Sequence, residues 1–281
     1  MITLSEEYAA RLLEEDLGLL DVTTAAMGIG ERLGRIECAP KEDCVVAGVE
    51  LAASVLEKAG AKVHVLAPSG TVLSARTPCL EARGSARQLH GAYKVAQNVM
   101  EYASGIATRT AEMLRNARSV APAISLCVTR KHFPGGKALS LSAAMAGGAV
   151  PHRLGLSDSI LAFDEHRLFL RPGEPLADVV SAMAGRFPEK KIAMEANSPE
   201  EVVAFARAGV HVIQCERFEP SLLAECVVAL RGLSPSIVVA AAGGVNAANA
   251  AEYARTGVDI LVTSWPYFGR PKDIKVHFLA E

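Results

Sequence analysis

The chain has 281 residues, 29 lysines and arginines against 31 aspartates and glutamates, a formal net charge of −2, and a hydrophobic fraction of 50%. This composition is too apolar for a disordered protein, and the near-zero charge argues against a nucleic-acid binder, which would carry a basic excess. No apolar run reaches the ~20 residues that cross a bilayer, and the start lacks the pattern of a signal peptide. We therefore expect neither membrane insertion nor secretion. Six cysteines without a C-x-x-C pair indicate free thiols in a cytoplasmic protein.

The first hundred residues mix helices and strands. Apolar spacing predicts helices at 6–15 and 49–59, the second ended by Gly60, which tolerates a left-handed cap. Alternation predicts strands at 35–38, 44–47, 62–66 and 79–83. A long helix follows over 85–117, with an expected kink near Ser104-Gly105.

From about residue 123 the pattern changes to strand then helix, repeated. Six apolar runs read as strands: 124–129, 159–163, 191–195, 210–215, 237–241 and 258–262. Continuous apolar strands separated by helices are typical of parallel βαβ units in an α/β protein. Six strands are too few for the usual eight, so we predict a reduced (β/α) barrel. We place an N-terminal domain at 1–108 and the barrel at 109–271, with a last strand at 272–281 returning to the first domain.

Basic residues follow the first two barrel strands, and the carboxyl ends of the strands form the active site in such barrels. Arg130, Lys131 and Lys137 follow the first strand, and His152-Arg153 comes one unit later. Arginine offers a planar fork for carboxylate or phosphate, and lysine a point charge. The alternative interpretation is a solvated positive loop.

Two carboxylates end successive strands. Glu195 closes the run from Ile192, and Glu216 closes the run from Val212. Acids in these positions could share a divalent cation or orient ribose hydroxyls. Either residue alone could equally be an ordinary surface glutamate.

Small residues end the last two strands. Gly243-Gly244 leads into a predicted helix, and Thr263-Ser264 follows the next strand. Backbone N–H groups at such a turn favour an anion, and phosphate sites built from the last two βα loops recur in barrels. Cations for an organic acid, a phosphate cradle and two carboxylates together suit a phosphorylated sugar reacting with an anionic acceptor.

These motifs resemble those of the quinolinate phosphoribosyltransferase family, over residues 10–265. The matching segments are Glu14–Gly18, Asp21–Thr24, Ser104–Thr108, Thr129–Lys131 with Pro134-Gly135, His152-Arg153 and Leu156–Asp158. The resemblance implies a type II phosphoribosyltransferase fold, with an N-terminal α/β sandwich and an incomplete (β/α) barrel. It also implies a homodimer, with a higher homo-oligomer as a further option, in which each N-terminal domain covers the neighbour's barrel mouth.

Several positions depart from the family pattern. Its acid-binding lysine is Phe163 here, the arginine donated across the dimer is Lys94, and a glutamate before the glycine turn is Ala240. The strand-end Asp-Asn is Glu216-Arg217, and Lys137 replaces an arginine. The segments Thr129–Gly135 and Ala241–Gly244, together with Gln214, are more similar to the ModD branch, which is associated with molybdenum-transport loci.

The resemblance implies a pyrophosphorylase that transfers phosphoribosyl from 5-phosphoribosyl-1-pyrophosphate to a carboxylated nitrogen heterocycle. Lys131 would contact the donor, Glu195 and Glu216 would hold Mg²⁺, and Gly243, Gly244, Thr263 and Ser264 would bind the 5-phosphate. The acceptor would contact Arg130, Lys137, His152, Arg153, Phe163 and the partner's Lys94. Two alternatives stay open: a decarboxylating quinolinate phosphoribosyltransferase of NAD biosynthesis, and a non-catalytic oxyanion-binding protein linked to molybdenum transport.

Overall fold

The computed structural model describes residues 4–281 and contains both strands and helices throughout. The strands are β1 (Leu33–Pro40), β2 (Cys44–Val45), β3 (Lys62–Val65), β4 (Val72–Leu73), β5 (Leu80–Ser85), β6 (Ser125–Val128), β7 (Val150–Pro151), β8 (Ile160–Ala162), β9 (Ile192–Ala196), β10 (Val212–Glu216), β11 (Val238–Ala242), β12 (Ile260–Thr263) and β13 (Ile274–Ala280). The α-helices are α1 (Glu6–Leu17), α2 (Val22–Ala26), α3 (Val49–Lys58), α4 (Ala86–Arg118), α5 (Lys137–Ala146), α6 (Asp164–Arg167), α7 (Leu176–Arg186), α8 (Pro199–Arg207), α9 (Pro220–Leu233) and α10 (Ala250–Arg255).

The chain divides into two compact units. The first contains the described residues up to Ala111, with His132–Gly148 and Pro266–Glu281. The second contains Glu112–Lys131 and Ala149–Trp265. Unlike the predicted division at 108 and 272, this one assigns residues 109–111, 132–148 and 266–271 to the first unit. Residues 1–3 of the predicted N-terminal domain lie outside the described residues.

The first unit is built on a four-stranded antiparallel sheet in the order β13-β1-β5-β3. Alternate residues of β1 are buried, as expected of a strand with one face on a core. That core includes Ile36, Leu56, Leu80 and Met100, all of them almost fully buried. The last strand, β13, pairs with β1 along its whole length.

Helix α4 runs for 33 residues and includes Ser104-Gly105, where the sequence predicts a kink. Gly105 has a packing role, because a Cβ atom there would lie 2.8 Å from the carbonyl oxygen of Arg270. Ser104 Oγ accepts a hydrogen bond from the Ala47 N–H at 3.0 Å. Among residues 4–281, no helix is both long enough and apolar enough to cross a membrane.

The second unit holds a parallel sheet in the order β7-β6-β12-β11-β10-β9-β8. The two edge strands, β7 and β8, do not pair with each other, so the barrel is incomplete and the predicted fold class is confirmed. The six predicted strands are present, and β7 is a seventh, two-residue strand that sequence periodicity does not reveal. Helix α6, a single turn after β8, was also not predicted.

Candidate active site

Three polar side chains lie on one face of neighbouring strands. Gln214 of β10 is directly opposite Glu195 of β9, and Glu216 lies two residues further along β10. Because side chains alternate along a strand, all three share one face of the sheet. On the neighbouring strand β11, Gln214 lies opposite Ala240 and Glu216 lies opposite Ala242. These two alanines pack in the apolar cluster of the barrel interior. The carboxylates predicted from the sequence therefore belong to the interior face at the strand ends.

Glu195 and Gln214 are joined directly. Gln214 Nε2 donates to Glu195 Oε2 at 2.7 Å. Gln214 is 5% exposed, and its Oε1 is the one buried side-chain N or O atom within 4–281 that lacks a hydrogen-bond partner. A buried amide oxygen without a donor is uncommon in folded proteins. The sequence pointed to Gln214 only through the ModD resemblance, because a glutamine within an apolar strand gives no sign of its cross-strand partner.

The charges around Glu195 are mixed. Burial raises the pKa of the Glu195 carboxyl, and the nearby Glu216 carboxylate raises this pKa further, while the Gln214 hydrogen bond and the charge of Lys131 lower it. Two neighbouring carboxylates fit Mg²⁺, which proteins commonly bind through one or two carboxylates together with substrate phosphates. Within residues 4–281 no cluster of three or more His, Cys, Asp and Glu side chains offers a cage made of protein alone. Glu195 and Glu216 are therefore the residues that could hold a metal here.

Phe163, which follows β8, lies beside a buried arginine. The Arg153 guanidinium lies 5.6 Å from the centre of the Phe163 ring, and Arg153 is 7% exposed. Burial, and then the charge of Arg130, lower the pKa of Arg153. Within the described chain, neither arginine has an ion pair or a side-chain hydrogen bond. This pair of uncompensated cations favours an anionic ligand.

His152 lies next to Arg153, on the loop after β7. Its backbone N–H donates to the Val128 carbonyl oxygen at 3.0 Å, which fixes the loop after β7 against the end of β6. Burial lowers the pKa of the His152 imidazole, and the charge of Arg153 lowers it further. His152 is therefore mainly neutral at pH 7 and can act as a hydrogen-bond donor without a full charge.

A network centred on Arg167 holds the ends of β8 and β9. Arg167 Nη1 donates to the backbone oxygen of Glu195 at 3.0 Å, and Nη2 binds Glu201 at 2.7 Å and also Asp164. Its guanidinium also lies 4.9 Å from the ring centre of Phe205. Arg167 therefore fixes the backbone that carries Glu195. Sequence reasoning missed it, because its partners are up to 34 residues away and follow no motif.

The predicted phosphate turn has an unusual backbone. Gly243 and Gly244 have φ angles of +84° and +76°, which favour glycine. Within residues 4–281, the N–H groups of 243–245 have no acceptor. Thr263 Oγ1 donates to the Val245 carbonyl at 2.7 Å, so this hydroxyl stabilises the turn. Ser264 is only partly buried. Helix α10 begins only at Ala250, so the free N–H groups belong to the turn and not to the helix.

The other predicted contact residues are exposed. Arg130 and Lys131 follow β6 in the second unit, and the Lys131 N–H donates to Thr129 Oγ1 at 3.1 Å. Lys137 begins α5 in the first unit. Lys94 lies on α4, also in the first unit, where its Nζ donates to Gln97 Oε1 at 2.8 Å and lies 5.2 Å from the Tyr93 ring centre.

Known protein families match almost the whole chain. Residues 21–104 match the N-terminal domain of quinolinate phosphoribosyl transferase, and residues 106–277 match the C-terminal domain of the same family. Both domains appear in the order that the sequence resemblance implies.

Individual relatives agree with this match. The chain is 35% identical over 276 residues to a Pasteurella multocida protein named "Putative pyrophosphorylase ModD", covering 98% of each sequence. It is 33% identical over 257 residues to the nicotinate-nucleotide pyrophosphorylase (carboxylating) of Mycobacterium leprae, covering 89% of this chain and 88% of that one. The crystal structure of NadC from Streptococcus pyogenes has the same fold, with a TM-score of 0.90, 21% identity and full coverage of both chains.

Proposed function

The chain belongs to the quinolinate phosphoribosyltransferase family and is a pentosyltransferase, and on this premise we propose that its acceptor is a nitrogen heterocycle with a single carboxylate, related to nicotinate. The donor is 5-phosphoribosyl-1-pyrophosphate, and the products are a nucleotide and pyrophosphate. Decarboxylation would require a second carboxylate on the acceptor, so this proposal excludes it.

The contact between Arg153 and Phe163 carries the proposal. The buried Arg153 guanidinium faces an aromatic ring at 5.6 Å, where the family pattern has a lysine. One wall of the acceptor pocket is therefore apolar, while Arg153 and Arg130 provide the cationic wall and neutral His152 adds a hydrogen-bond donor. A carboxylate placed against Phe163 would lose its solvation without gaining a counter-ion, which is costly. A ring with one carboxylate can place it at the cations and its apolar edge at Phe163.

The donor would lie on the side of the two glutamates. Lys131 and the turn at Gly243-Gly244 supply positive charge and free N–H groups for its phosphates. Glu195 and Glu216 would hold Mg²⁺ together with the pyrophosphate, and the bound metal would neutralise charge on the leaving group. We propose these roles on the basis of the shared interior face of the two carboxylates.

The protein's own residues would act by positioning and electrostatics. The acceptor's ring nitrogen forms a bond to C1 of the ribose as the bond from C1 to the pyrophosphate oxygen breaks, and pyrophosphate leaves with the bonding electron pair. Arg130 and Arg153 would orient the acceptor so that its nitrogen lone pair faces C1. Neutral His152 would donate a hydrogen bond to the acceptor carboxylate.

Measurement of pyrophosphate release tests the proposal. The protein would be assayed with Mg²⁺ and the phosphoribosyl donor against nicotinate, other heterocycles with one carboxylate, and quinolinate. We expect kcat/KM to be highest for one of the acceptors with a single carboxylate, and Lys131→Ala to weaken donor binding. Preferred turnover of quinolinate with release of CO₂ would instead identify the decarboxylating enzyme. Ligand binding without pyrophosphate release for any acceptor would identify a non-catalytic binding protein.

We also propose a homodimer in which the partner's Lys94 completes the acceptor site. Lys94 is exposed on α4, where Tyr93 and Gln97 hold it. A mixture of Lys94→Ala and Lys131→Ala proteins, refolded together, distinguishes a Lys94 donated across the dimer from a Lys94 that acts within its own subunit. A lysine donated across the dimer restores up to about a quarter of the activity, since half the dimers are mixed and each has one intact site. A lysine acting within its own subunit restores none.

A cytoplasmic location is part of the same proposal. All six cysteines are free and buried, which suits a reducing compartment. Localisation of the tagged protein by cell fractionation would test it, and recovery outside the cytoplasmic fraction would contradict it.

A further inference from the structure

Arg217, the residue after Glu216, has a strained backbone. Its φ angle is +57°, and within residues 4–281 the one other non-glycine residue with a positive φ is Arg76, at +66°. A long side chain in this left-handed region costs free energy that glycine or asparagine largely avoids. Such strain persists where the surroundings impose it, and it concentrates at functional sites. The Arg217 N–H donates to the Ala242 carbonyl oxygen at 2.8 Å, which holds this conformation against the end of β11.

The strained backbone places the Arg217 side chain over the glycine turn. A Cβ atom on Gly243 would lie 2.5 Å from Arg217 Cγ and 2.9 Å from the Arg217 nitrogen. At position 243, therefore, only glycine fits against Arg217. The stem of Arg217 lies directly against the turn whose N–H groups at 243–245 have no acceptor within residues 4–281.

The charged end of Arg217 is available to a ligand. Its side chain is 83% exposed, and the one ion pair it makes among residues 4–281, to Glu216 Oε1, spans 3.7 Å, too long for a strong hydrogen bond. Most of the five N–H donors are thus unused, and a guanidinium fork matches the geometry of phosphate oxygens.

We propose that Arg217 binds the 5-phosphate of the phosphoribosyl donor, together with the free N–H groups of the Gly243-Gly244 turn. The inference rests on the proposed function, because it assigns a residue to the donor of that reaction. It extends that function by adding a cation that the phosphate turn, as predicted from the sequence, did not include. In the observed left-handed conformation the stem of Arg217 packs against the turn, which keeps this cation beside the free N–H groups.

The proposal predicts opposite effects on stability and on binding. Arg217→Asn relieves the left-handed strain and should raise the melting temperature by about 2–4 °C. The same change should weaken binding of ribose 5-phosphate by about 10- to 100-fold, because a charge-assisted hydrogen bond is lost. Arg217→Lys, which keeps the charge but not the fork, should bind with intermediate affinity.

Arg76→Asn is the matched control. It removes the same residue type from the same backbone conformation in the first unit. It should raise the melting temperature to a similar extent and leave ribose 5-phosphate binding unchanged. A merely structural role for Arg217 predicts that the two variants behave alike in both measurements.

The experiment uses the full chain and calorimetric titration with three probes: the phosphoribosyl donor with Mg²⁺, ribose 5-phosphate, and inorganic pyrophosphate. Weakened binding of ribose 5-phosphate and of the donor in Arg217→Asn, with pyrophosphate affinity unchanged, supports the proposal. Unchanged affinity for ribose 5-phosphate overturns it while leaving the proposed function intact. A loss confined to pyrophosphate also overturns it, since Arg217 would then face the leaving group. If the unaltered chain binds neither donor nor ribose 5-phosphate, the proposed function fails along with this inference.

Discussion

Glu195 and Gln214 face each other on neighbouring strands, and the Gln214 amide donates to the Glu195 carboxylate at 2.7 Å. This hydrogen bond fixes one carboxylate oxygen and leaves the other for a ligand. It also opposes the effects of burial and of the Glu216 charge, which raise the pKa of Glu195. Because this pKa is raised, the folded protein favours the protonated form of Glu195 over its carboxylate form more than the unfolded chain does.

Glu195→Gln should make the free protein more stable at pH 7. The raised pKa means that the native state binds the Glu195 proton more tightly than the unfolded state, so ionisation lowers stability as pH rises. Glutamine keeps the volume and can still accept the Gln214 hydrogen bond. The stability advantage of the Glu195→Gln variant should shrink as pH falls through the raised pKa of Glu195, because Glu195 is then neutral in the unaltered protein. Urea denaturation from about pH 4 to pH 8 measures the difference.

Glu200→Gln is the control, in which the stability change at pH 7 should have the opposite sign. Hydrogen bonds from its own backbone N–H and from Ser198 lower the pKa of this exposed carboxyl at the start of α8. Replacing Glu200 should therefore reduce stability at pH 7, with the loss disappearing at low pH. A stability gain in both variants would show that the effect at Glu195 is general and unrelated to its position in the barrel.

Phe163→Lys should shift acceptor preference towards two carboxylates. The new ammonium would neutralise a carboxylate at the wall that is now apolar, and we expect kcat/KM for quinolinate to rise by about tenfold or more. The free protein should lose stability, because a third cation would join Arg153 and Arg130 and the ring facing Arg153 would be gone. Steady-state kinetics with quinolinate and nicotinate provide the measurement. Phe163→Met, which stays apolar, should show no gain for quinolinate; an equal gain would attribute the effect to pocket size.

Arg167→Met should weaken both stability and activity. The side chain is 16% exposed and binds Asp164, Glu201 and the Glu195 backbone, so its loss removes a buried cation that pairs with two carboxylates and one backbone oxygen. We expect a loss of about 2–4 kcal/mol in the free energy of unfolding and a lower kcat/KM. Arg87→Met is the matched surface case: its 71%-exposed side chain pairs with Glu31, and its loss should cost less than about 1 kcal/mol. Equal losses would mean that the Arg167 network has no special role.

The parallel strands could be predicted because each is a short apolar run, as in β11, where four of five residues are buried. The two-residue β7 could not, because its length is below any detectable period. Gly105 shows a different limit: the pattern suggests a kink there, and it gives no sign that the glycine admits the backbone near Arg270, which is distant in sequence.

The candidate site was predictable to the extent that strand ends converge. Glu195 and Glu216 were identified because both end apolar runs, and parallel strands bring those ends to one edge. Gln214, Arg167 and Arg217 depend on contacts between strands or on a backbone angle, and neither leaves a pattern in the sequence. The strain at Arg217 in particular appears only once the φ angle is known.

The two glycines of the phosphate turn should tolerate alanine unequally. Both have positive φ, so either substitution introduces strain, but the surrounding space differs. A Cβ on Gly243 would meet Arg217 and the Glu216 carboxylate at 2.5 and 2.7 Å, whereas a Cβ on Gly244 would meet no atom of residues 4–281 within 4 Å. Gly244→Ala should therefore cost about 1–2 kcal/mol through backbone strain alone, and Gly243→Ala clearly more. Chemical denaturation of the two variants decides this, and Gly243→Ala should also displace Glu216 and weaken Mg²⁺-dependent donor binding. Equal losses in stability would contradict the close packing of Arg217 against Gly243.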